Sequence, residues 1–306
     1  MNIASIVVTY NRKVLLLRCI RAIAEQSLIP QTLYIIDNNS TDGTYNALVE
    51  FGIINGNGVY RNITIEYIKL PKNGGGSLGF YEGLKRAHET NNYDAFWVMD
   101  DDGMPERNCL KELISNIDVS NYLSPLVVDI DNHEDMAFRD CSLTDFVKSQ
   151  SNDGQTIKNA ANPFNGILYS KKYLDVVGYP NPDLFIWGDE INYDLRGRMH
   201  NMPPVTVCKA IHYHPRNRAQ HSQPFFFKKK KVIFVDNKWK MYCRCCNAVF
   251  NYRLSGNYIQ VVKEFILYNW LFLITMHSWS WVKLFNTAFV NGWRGKFGGH
   301  YKYMNQ

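Results

Sequence analysis

The sequence predicts an α/β fold with a mostly parallel central sheet, followed by a C-terminal helical region. Over the first two thirds of the chain, short apolar or β-branched runs alternate with segments at helical spacing, as expected of parallel strands joined by helices. The early runs each end abruptly in a polar or glycine-rich loop. With 306 residues, 46% of them hydrophobic, the chain can form a sizeable core. We predict an α/β domain at 1–220 and a helical, basic and aromatic region at 221–306.

The first three predicted strands each lead into a candidate ligand-binding loop. The strands lie at 3–8, 33–36 and 64–68. The first precedes Thr9-Tyr10-Asn11-Arg12. The second stops at Asp37, whose carboxylate suits a ribose hydroxyl or a base N–H, although a helix-capping loop explains the same residues. The third precedes Asn73-Gly74-Gly75-Gly76, where glycines permit a phosphate to approach a helix start. This loop matches neither the dinucleotide signature nor the P-loop.

The strand predicted at 96–99 ends in three consecutive carboxylates, Asp100, Asp101 and Asp102. Four large apolar residues are typical of a strand covered on both faces, and open α/β sheets bind ligands at the carboxyl ends of such strands. Adjacent carboxylates repel one another unless a cation lies among them, and their oxygens suit Mg²⁺ or Mn²⁺. A solvated acidic loop is the alternative, but the position directly after a buried strand favours a divalent metal site.

A second acidic segment, Trp187-Gly188-Asp189-Glu190, follows a further apolar run. Its acids stand at the start of a predicted helix, where free N–H groups and the helix dipole stabilise negative charge, so a helix cap is one interpretation. The neighbouring Trp187 favours another, because an aromatic ring beside a carboxylate can stack on a sugar. His212 and His214 follow the strand predicted at 205–211. Such histidines are usually structural, and a zinc site would need a third ligand pattern that is absent nearby.

The charge distribution indicates an anionic partner. The net charge is +6, and the lysines at 228–231 form one basic block. A membrane surface, a phosphorylated ligand and nucleic acid all fit, but no nucleic-acid recognition motif accompanies the block, so we expect no nucleic-acid partner. The seven cysteines lack zinc-finger spacing and are expected to be reduced thiols. The N-terminus lacks the basic segment and cleavage site of a signal peptide, which predicts a cytoplasmic protein.

The C-terminal third carries no motif that can be placed. Residues 258–289 are rich in Trp, Phe, Leu and Ile, and Phe226 and Phe227 adjoin the basic block. The longest clean apolar stretch, 265–276, is too short to span a membrane. We expect amphipathic helices that present a basic, aromatic surface to the inner face of the cytoplasmic membrane, although an ordinary buried helical subdomain fits equally well. Residues 129–159 are polar and poorly periodic, which predicts an excursion or mobile loop rather than a domain.

Four loops in this order and spacing resemble those of family 2 inverting glycosyltransferases, which have a Rossmann-like, GT-A type fold for nucleotide sugars. The loops are those at Thr9, Asp37, Asn73 and Asp100, and the resemblance covers residues 3–215. The Asp triplet and the later aromatic-acid segment are most similar to galactofuranosyltransferases, with rhamnosyltransferases second. The resemblance implies transfer of galactofuranose from UDP-galactofuranose to a cell-surface polysaccharide or lipid-linked glycan, with Mn²⁺ or Mg²⁺ as cofactor. The alternative donor is dTDP-rhamnose.

The resemblance also implies a role for each motif. Asp189 is the expected general base, and Trp187 and Glu190 are expected to contact the acceptor. The implied metal ligands are Asp100, Asp102 and His212, with His214 as the second choice of histidine. The implied donor-binding residues are Thr9, Tyr10, Arg12, Asp37, Asn73, Gly75, Gly76 and Asp101.

Two other functions fit parts of the pattern. A nucleotidyltransferase would also use acids and a metal, but it would carry a basic, glycine-rich first turn in place of Thr9-Tyr10-Asn11-Arg12. A non-catalytic glycan- or membrane-binding module could keep the same fold. The complete set of Asp100, Asp102, Asp189 and His212 favours an enzyme over such a module.

Overall fold

The computed structural model describes residues 1–216, 220–225 and 228–304, apart from the side chains of 220–225 and 228–231. Its contacts separate two compact units. The first comprises Met1–Pro180 and Arg196–Arg216, and the second comprises Asn181–Leu195 and Asn217–Gln306. The sequence interpretation placed residues 181–195 in the first domain. In the structure, Asn181–Leu195 groups with the C-terminal helices. The domain boundary at residue 220 stays a prediction.

One mixed sheet organises the first unit. Within the described residues it has ten strands in the order β3-β4-β2-β1-β5-β9-β7-β10-β6, with β8 also paired to β10. The strands are β1 (Ile3–Thr9), β2 (Thr32–Asp37), β3 (Val59–Tyr60), β4 (Ile63–Lys69), β5 (Ala95–Asp100), β6 (Met104–Pro105), β7 (Tyr122–Asp129), β8 (Thr156–Lys158), β9 (Asn165–Ser170) and β10 (Val205–His214). The half formed by β4, β2, β1 and β5 is parallel, whereas β9 runs antiparallel between β5 and β7.

Strand pairing gathers the predicted loops at one edge. In the parallel half, Thr9 pairs with Asp37 and Val8 pairs with Asp100, so the polar loops after β1, β2 and β5 begin side by side. The chain leaving the acids forms β6, which pairs antiparallel with β10 and places Pro105 opposite His212. The acidic loop is therefore bound to the strand that carries the histidines.

The helices of the first unit cover the sheet. They are α1 (Lys13–Ala24), α2 (Thr44–Glu50), α3 (Gly75–Glu89), α4 (Cys109–Ile114), α5 (Leu143–Gln150), α6 (Lys171–Val177) and the second part of α7 (Asp189–Met199). Helix α3 packs closely on the sheet because glycines face it: a Cβ at Gly83 would lie 2.5 Å from Ile6 Cγ2, and one at Gly79 would lie 2.4 Å from Val8 Cγ1. Trp97, on β5, is fully buried in the core between helices and sheet.

The predicted excursion at 129–159 contains regular structure. Helix α5 is capped by Ser142, whose Oγ accepts a hydrogen bond from the Asp145 backbone N–H at 3.0 Å, and β8 pairs with β10. Phe146 and Ile157 join Val128 of β7 in a small separate core. The segment is thus anchored on the sheet next to the histidine strand.

The second unit is mainly helical. It contains a hairpin of β11 (Gln220–Phe225) and β12 (Lys228–Ile233), helices α8 (Lys238–Leu254), α9 (Tyr258–Asn269) and α10 (Trp279–Arg294), a π-helical turn at Trp270–Thr275, short turns at Pro182–Leu184 and Gly299–Tyr303, and the start of α7. Phe226 and Phe227, singled out in the sequence, lie outside the described residues.

Aromatic side chains and one ion pair hold the helices of this unit together. Tyr268, Phe272 and Phe285 are fully buried at its centre. Arg244 of α8 donates two hydrogen bonds to the Glu264 carboxylate of α9, at 2.7 and 3.0 Å. Across the described residues, no helix combines the length and the apolar character needed to cross a bilayer.

Candidate active site

The acidic loop after β5 is held by the end of β1. Thr9 Oγ1 donates a hydrogen bond to Asp101 Oδ2 at 2.7 Å. Arg12 Nη1 contacts Asp101 Oδ1 at 3.2 Å and Asp102 Oδ2 at 2.9 Å. The structure thus brings together Thr9, Arg12, Asp101 and Asp102, all predicted site residues, beside Asp100 at the end of β5.

The carboxyl groups of this loop differ in acidity. Burial raises the pKa of Asp101 to about 6, against the hydrogen bond from Thr9 and the charge of Arg12. Burial also opposes ionisation of Asp102, but the nearby His214 and the charge of Arg12 outweigh it and lower the pKa of that carboxyl. Asp102 is therefore the better charged oxygen donor for a cation.

Asp37, at the end of β2, is buried and engaged by its own unit. Its Oδ1 accepts a hydrogen bond from the Ser40 backbone N–H at 2.6 Å, and its Oδ2 accepts one from the Tyr67 hydroxyl at 2.5 Å. Burial and this bond raise the pKa of the Tyr67 phenol. Each carboxylate oxygen keeps further lone-pair capacity, so this rigid group can still accept a hydrogen bond from a ligand hydroxyl or N–H.

The glycine loop forms the start of α3. The Gly75 backbone N–H donates to Asn73 Oδ1 at 2.8 Å, and the Gly75 carbonyl accepts a bond from Asn38 Nδ2 at 2.9 Å. Gly75 adopts φ +76°, a conformation that favours glycine, and Gly76 lies in the first helical turn. The backbone N–H groups of a first helical turn and the helix dipole suit a phosphate there. Tyr10 is exposed in the loop between β1 and α1.

His212 is sealed inside the first unit. Its side chain has no exposed surface, and neither ring nitrogen has a hydrogen-bond partner among the described residues. The ring lies between two glycines, since a Cβ at Gly103 would lie 2.1 Å from its Nε2 and one at Gly166 would lie 2.8 Å from its Nδ1. Burial lowers the pKa of His212 to about 3, so the ring is neutral.

His214, two residues further along β10, faces the acids. Its Nε2 lies 3.3 Å from Asp102 Oδ1, and its Nδ1 lies 2.7 Å from the Pro215 carbonyl oxygen. Because a carbonyl only accepts, Nδ1 carries a proton. In the neutral ring Nε2 then presents a lone pair toward a carboxylate. That arrangement is favourable only when His214 is charged or when both groups bind one cation.

These residues fit a divalent metal as a pair of ligands. An imidazole nitrogen, oriented by a carbonyl bond at its other nitrogen, and a charged carboxylate oxygen are usual ligands of Mn²⁺ and related ions. Among the described residues, no group of three or more His, Cys, Asp or Glu side chains is arranged to hold a metal ion. The predicted trio of Asp100, Asp102 and His212 is therefore not assembled as a closed cage.

The predicted base and acceptor residues lie in the second unit, where α7 begins. Asp189 is buried at the first position of α7, and Trp187 is partly exposed just before it. Glu190 Oε2 accepts a hydrogen bond from the Gly188 backbone N–H at 2.8 Å, which is a helix-capping contact.

Two buried asparagines on α8 hold the backbone of this segment. Asn247 Nδ2 donates to the carbonyls of Leu184, Ile186 and Trp187, at 2.8, 3.1 and 2.9 Å. Asn251 Nδ2 donates to the Gly188 carbonyl at 2.7 Å. We call this contact set the asparagine clamp. It stabilises an unusual backbone, because Phe185 and Trp187 both have positive φ, at 63° and 60°.

The sequence interpretation missed both clamp residues and Tyr67. A signal for the clamp was present, since two asparagines four residues apart in a largely apolar helix lie on one face and need buried partners. Tyr67 had no comparable signal, because its partner Asp37 lies on a neighbouring strand.

Comparison with known proteins places the chain in a family. Residues 5–174, more than half of the chain, match glycosyl transferase family 2, and the chain belongs to that family. It is therefore a glycosyltransferase, as predicted.

The chain is similar to curated enzymes over almost its full length. It is 25% identical to galactofuranosyltransferase GlfT1 of Mycolicibacterium smegmatis, over 92% of this chain and 94% of that protein. It is 26% identical to GlfT1 of Mycobacterium tuberculosis, over 97% of each chain.

Solved structures confirm the predicted GT-A type fold. TarS 1–349 of S. aureus in complex with UDP-GlcNAc superposes with a TM-score of 0.57 at 14% identity, covering 95% of this chain and 81% of that one. Mannosyltransferase PcManGT from Pyrobaculum calidifontis, in complex with GDP-Man and Mn²⁺, gives 0.57 at 13% identity, covering 99% and 78%. The match to a longer TarS chain covers 72% of this chain but only 37% of that one.

Proposed function

We propose that this protein is a metal-dependent inverting galactofuranosyltransferase. It moves galactofuranose from UDP-galactofuranose to a hydroxyl of a cell-surface polysaccharide or lipid-linked glycan. The observation that carries the proposal is the similarity to the two galactofuranosyltransferases, which spans at least 92% of this chain. The cluster of Thr9, Arg12, Asp101 and Asp102 at the sheet edge supports it, because acids held at that edge suit a charged donor.

In this proposal the first unit binds the donor. Asp37 accepts a hydrogen bond from the nucleoside, and the N–H groups at the start of α3, after Asn73, face the diphosphate and sugar. Thr9 and Arg12 fix the acidic loop because both donate hydrogen bonds to its Asp101. Tyr10, exposed after β1, contributes a side chain to the same edge.

Asp102 and His214, with Asp100 beside them, would hold Mn²⁺ or Mg²⁺ together with oxygens of the donor diphosphate. When bound, the ion neutralises negative charge on the departing diphosphate. We assign the histidine ligand to His214, the second choice from the sequence, because His214 faces Asp102 whereas His212 is enclosed by Gly103 and Gly166. His212 then has a packing role.

The transfer is a single displacement. The acceptor oxygen forms a bond to the anomeric carbon while the bond from that carbon to the diphosphate oxygen breaks, and the configuration inverts. The acceptor proton passes to Asp189, the general base. Trp187 stacks on the acceptor sugar. Glu190, which caps α7 through Gly188, orients this segment as well as the acceptor.

Calorimetry of the purified chain with nucleotide sugars, in Mn²⁺ and in chelator, tests this function. We expect metal-dependent binding of UDP-galactofuranose above other donors, followed by transfer to a galactan-like acceptor. If the protein preferred dTDP-rhamnose, the transferred sugar would be rhamnose, and the proposed site and mechanism would stay as they are. Binding of no nucleotide sugar under either condition would overturn the proposal in favour of a non-catalytic glycan-binding module.

A further inference from the structure

The outward side of α9 and of the π-helical turn after it is apolar. Its exposed residues, which we call the outer face, are Tyr258, Ile259, Val262, Phe265, Ile266, Leu273 and Ile274. Ile259 is 70% exposed and Val262 is 57% exposed. The core does not need these side chains, because the opposite side of the same segment supplies Tyr268, Leu271 and Phe272 to it. A surface helix of a water-soluble domain would normally be polar on this side.

Helix α10 extends the outer face sideways. Ring contacts join the two helices, with centroids 6.1 Å apart for Tyr258 and Trp293 and 5.1 Å apart for Phe265 and Phe289. Trp279, at the start of α10, is 75% exposed. Tryptophan and tyrosine at the rim of an apolar surface are typical of groups that lie at the boundary between lipid and water.

The exposed charged side chains of residues 255–304 have one sign. Residues 255–304 contain five lysines and arginines but a single acid, Glu264. Glu264 is buried and paired with Arg244, so it does not offset the exposed cations. Those exposed cations are Lys263, Lys283, Arg294, Lys296 and Lys302. A second copy of the chain would bring the same cations together, whereas anionic headgroups would neutralise them.

We propose that the outer face docks on the surface of an anionic lipid bilayer. Helix α9 and the π-helical turn lie in the plane of the membrane, with Ile259, Val262 and Ile266 inserted among the acyl chains. Lys263 and Lys283 contact the headgroups. This inference does not depend on the proposed sugar donor or on the identity of the base.

Vesicle sedimentation of the full chain tests the docking surface. We expect binding to vesicles containing about 30% phosphatidylglycerol and weaker binding to pure phosphatidylcholine, since the cations act on anionic headgroups. The variant Ile259→Ser/Val262→Ser/Ile266→Ser should weaken binding to the anionic vesicles at least about tenfold, because it removes the inserted side chains. Lys263→Gln/Lys283→Gln should reduce the preference for anionic lipid.

A matched control removes exposed apolar side chains elsewhere. Val49→Ser/Phe51→Ser alters exposed residues at the end of α2, in the first unit, and should bind vesicles as the unaltered chain does. Circular dichroism establishes that each variant is folded. Failure of the full chain to bind either vesicle, or equal binding by the triple serine variant, would overturn the proposal. If the unaltered chain formed a dimer in sedimentation velocity and the triple serine variant did not, while both bound vesicles equally, the outer face would be assigned to a second copy instead.

Discussion

Asn247 donates its side-chain amide to the backbone carbonyl of Trp187 at 2.9 Å, and the same amide also reaches the carbonyls of Leu184 and Ile186. One buried side chain on α8 therefore fixes the backbone just before the proposed base, Asp189. Leaving one buried carbonyl without its donor lowers the free energy of unfolding by about 1–3 kcal/mol. The clamp residues therefore hold this loop strongly.

Asn247→Ala should lower kcat at least about tenfold while UDP binding changes little. The reason is that the carbonyls of Leu184, Ile186 and Trp187 lose their donor. The segment with positive φ at Phe185 and Trp187 is then no longer supported, so Asp189 is no longer held in position. Steady-state kinetics together with calorimetry of UDP separate the two effects. Asn286→Ala, which removes a hydrogen bond between α10 and Asn269 at 2.9 Å, is the control and should leave kcat unchanged. Equal losses in both variants would indicate general destabilisation.

His214→Ala should weaken Mn²⁺ binding in the presence of UDP by at least about tenfold, because the proposed ligand that faces Asp102 is lost. His212→Phe, which replaces one buried ring with another, should leave Mn²⁺ affinity near that of the unaltered chain. Titration followed by the electron paramagnetic resonance of free Mn²⁺ measures both. The opposite order of effects would return the ligand assignment to His212.

Asp189→Asn should lower kcat about 30-fold or more, which corresponds to at least about 2 kcal/mol of transition-state stabilisation, because an amide cannot serve as the proposed base. Donor binding should persist. Glu190→Gln is the matched control, since its side chain can still accept the hydrogen bond from Gly188, and it should lose less activity. Near-normal turnover in Asp189→Asn would move the base to another residue.

The stability of the second unit should depend on pH through His300. This side chain is buried against Phe185, with ring centroids 4.3 Å apart, and burial lowers its pKa to about 4. Unfolded histidine takes up a proton near pH 6.5 and the folded one only near 4, so this contribution is complete above 6.5 and lost as pH falls toward 4.

Thermal unfolding at a series of pH values from 7.5 down to 4.5 checks this prediction. The unaltered chain should lose more of its unfolding temperature over that range than His300→Leu does. His200→Leu, at an exposed position, should follow the unaltered chain. Parallel curves for all three proteins would contradict the assignment.

The sheet edge was predictable because the carboxyl ends of neighbouring parallel strands meet. Three motifs at separate places in the sequence, at Thr9, Asp37 and Asp100, begin side by side for that reason. The choice between His212 and His214 was not predictable. Residues two apart in a strand point to the same face, so only Gly103 and Gly166, from other parts of the chain, decide which ring is enclosed.

Helix α5 was missed for a related reason. Its apolar residues Leu143, Phe146 and Val147 do keep helical spacing, but the helix has only eight residues and buries only Phe146, so this short pattern was overlooked among polar neighbours. Its position depends instead on a small cluster with Val128 and Ile157. The grouping of Asn181–Leu195 with the C-terminal helices likewise depends on Asn247 and Asn251, about 60 positions away in sequence.

The ion pair between Arg244 and Glu264 has a geometric consequence for catalysis at a surface. Arg244 joins α8 to α9, and Asn247 holds the loop with Asp189 one helical turn later, about 4.5 Å further along the axis. If α9 lies flat on a bilayer, this rigid link sets the height of the base above the lipid. An acceptor anchored in the same bilayer would then react only at hydroxyls that reach that height. The distance of a hydroxyl from the membrane anchor would therefore decide whether it is glycosylated.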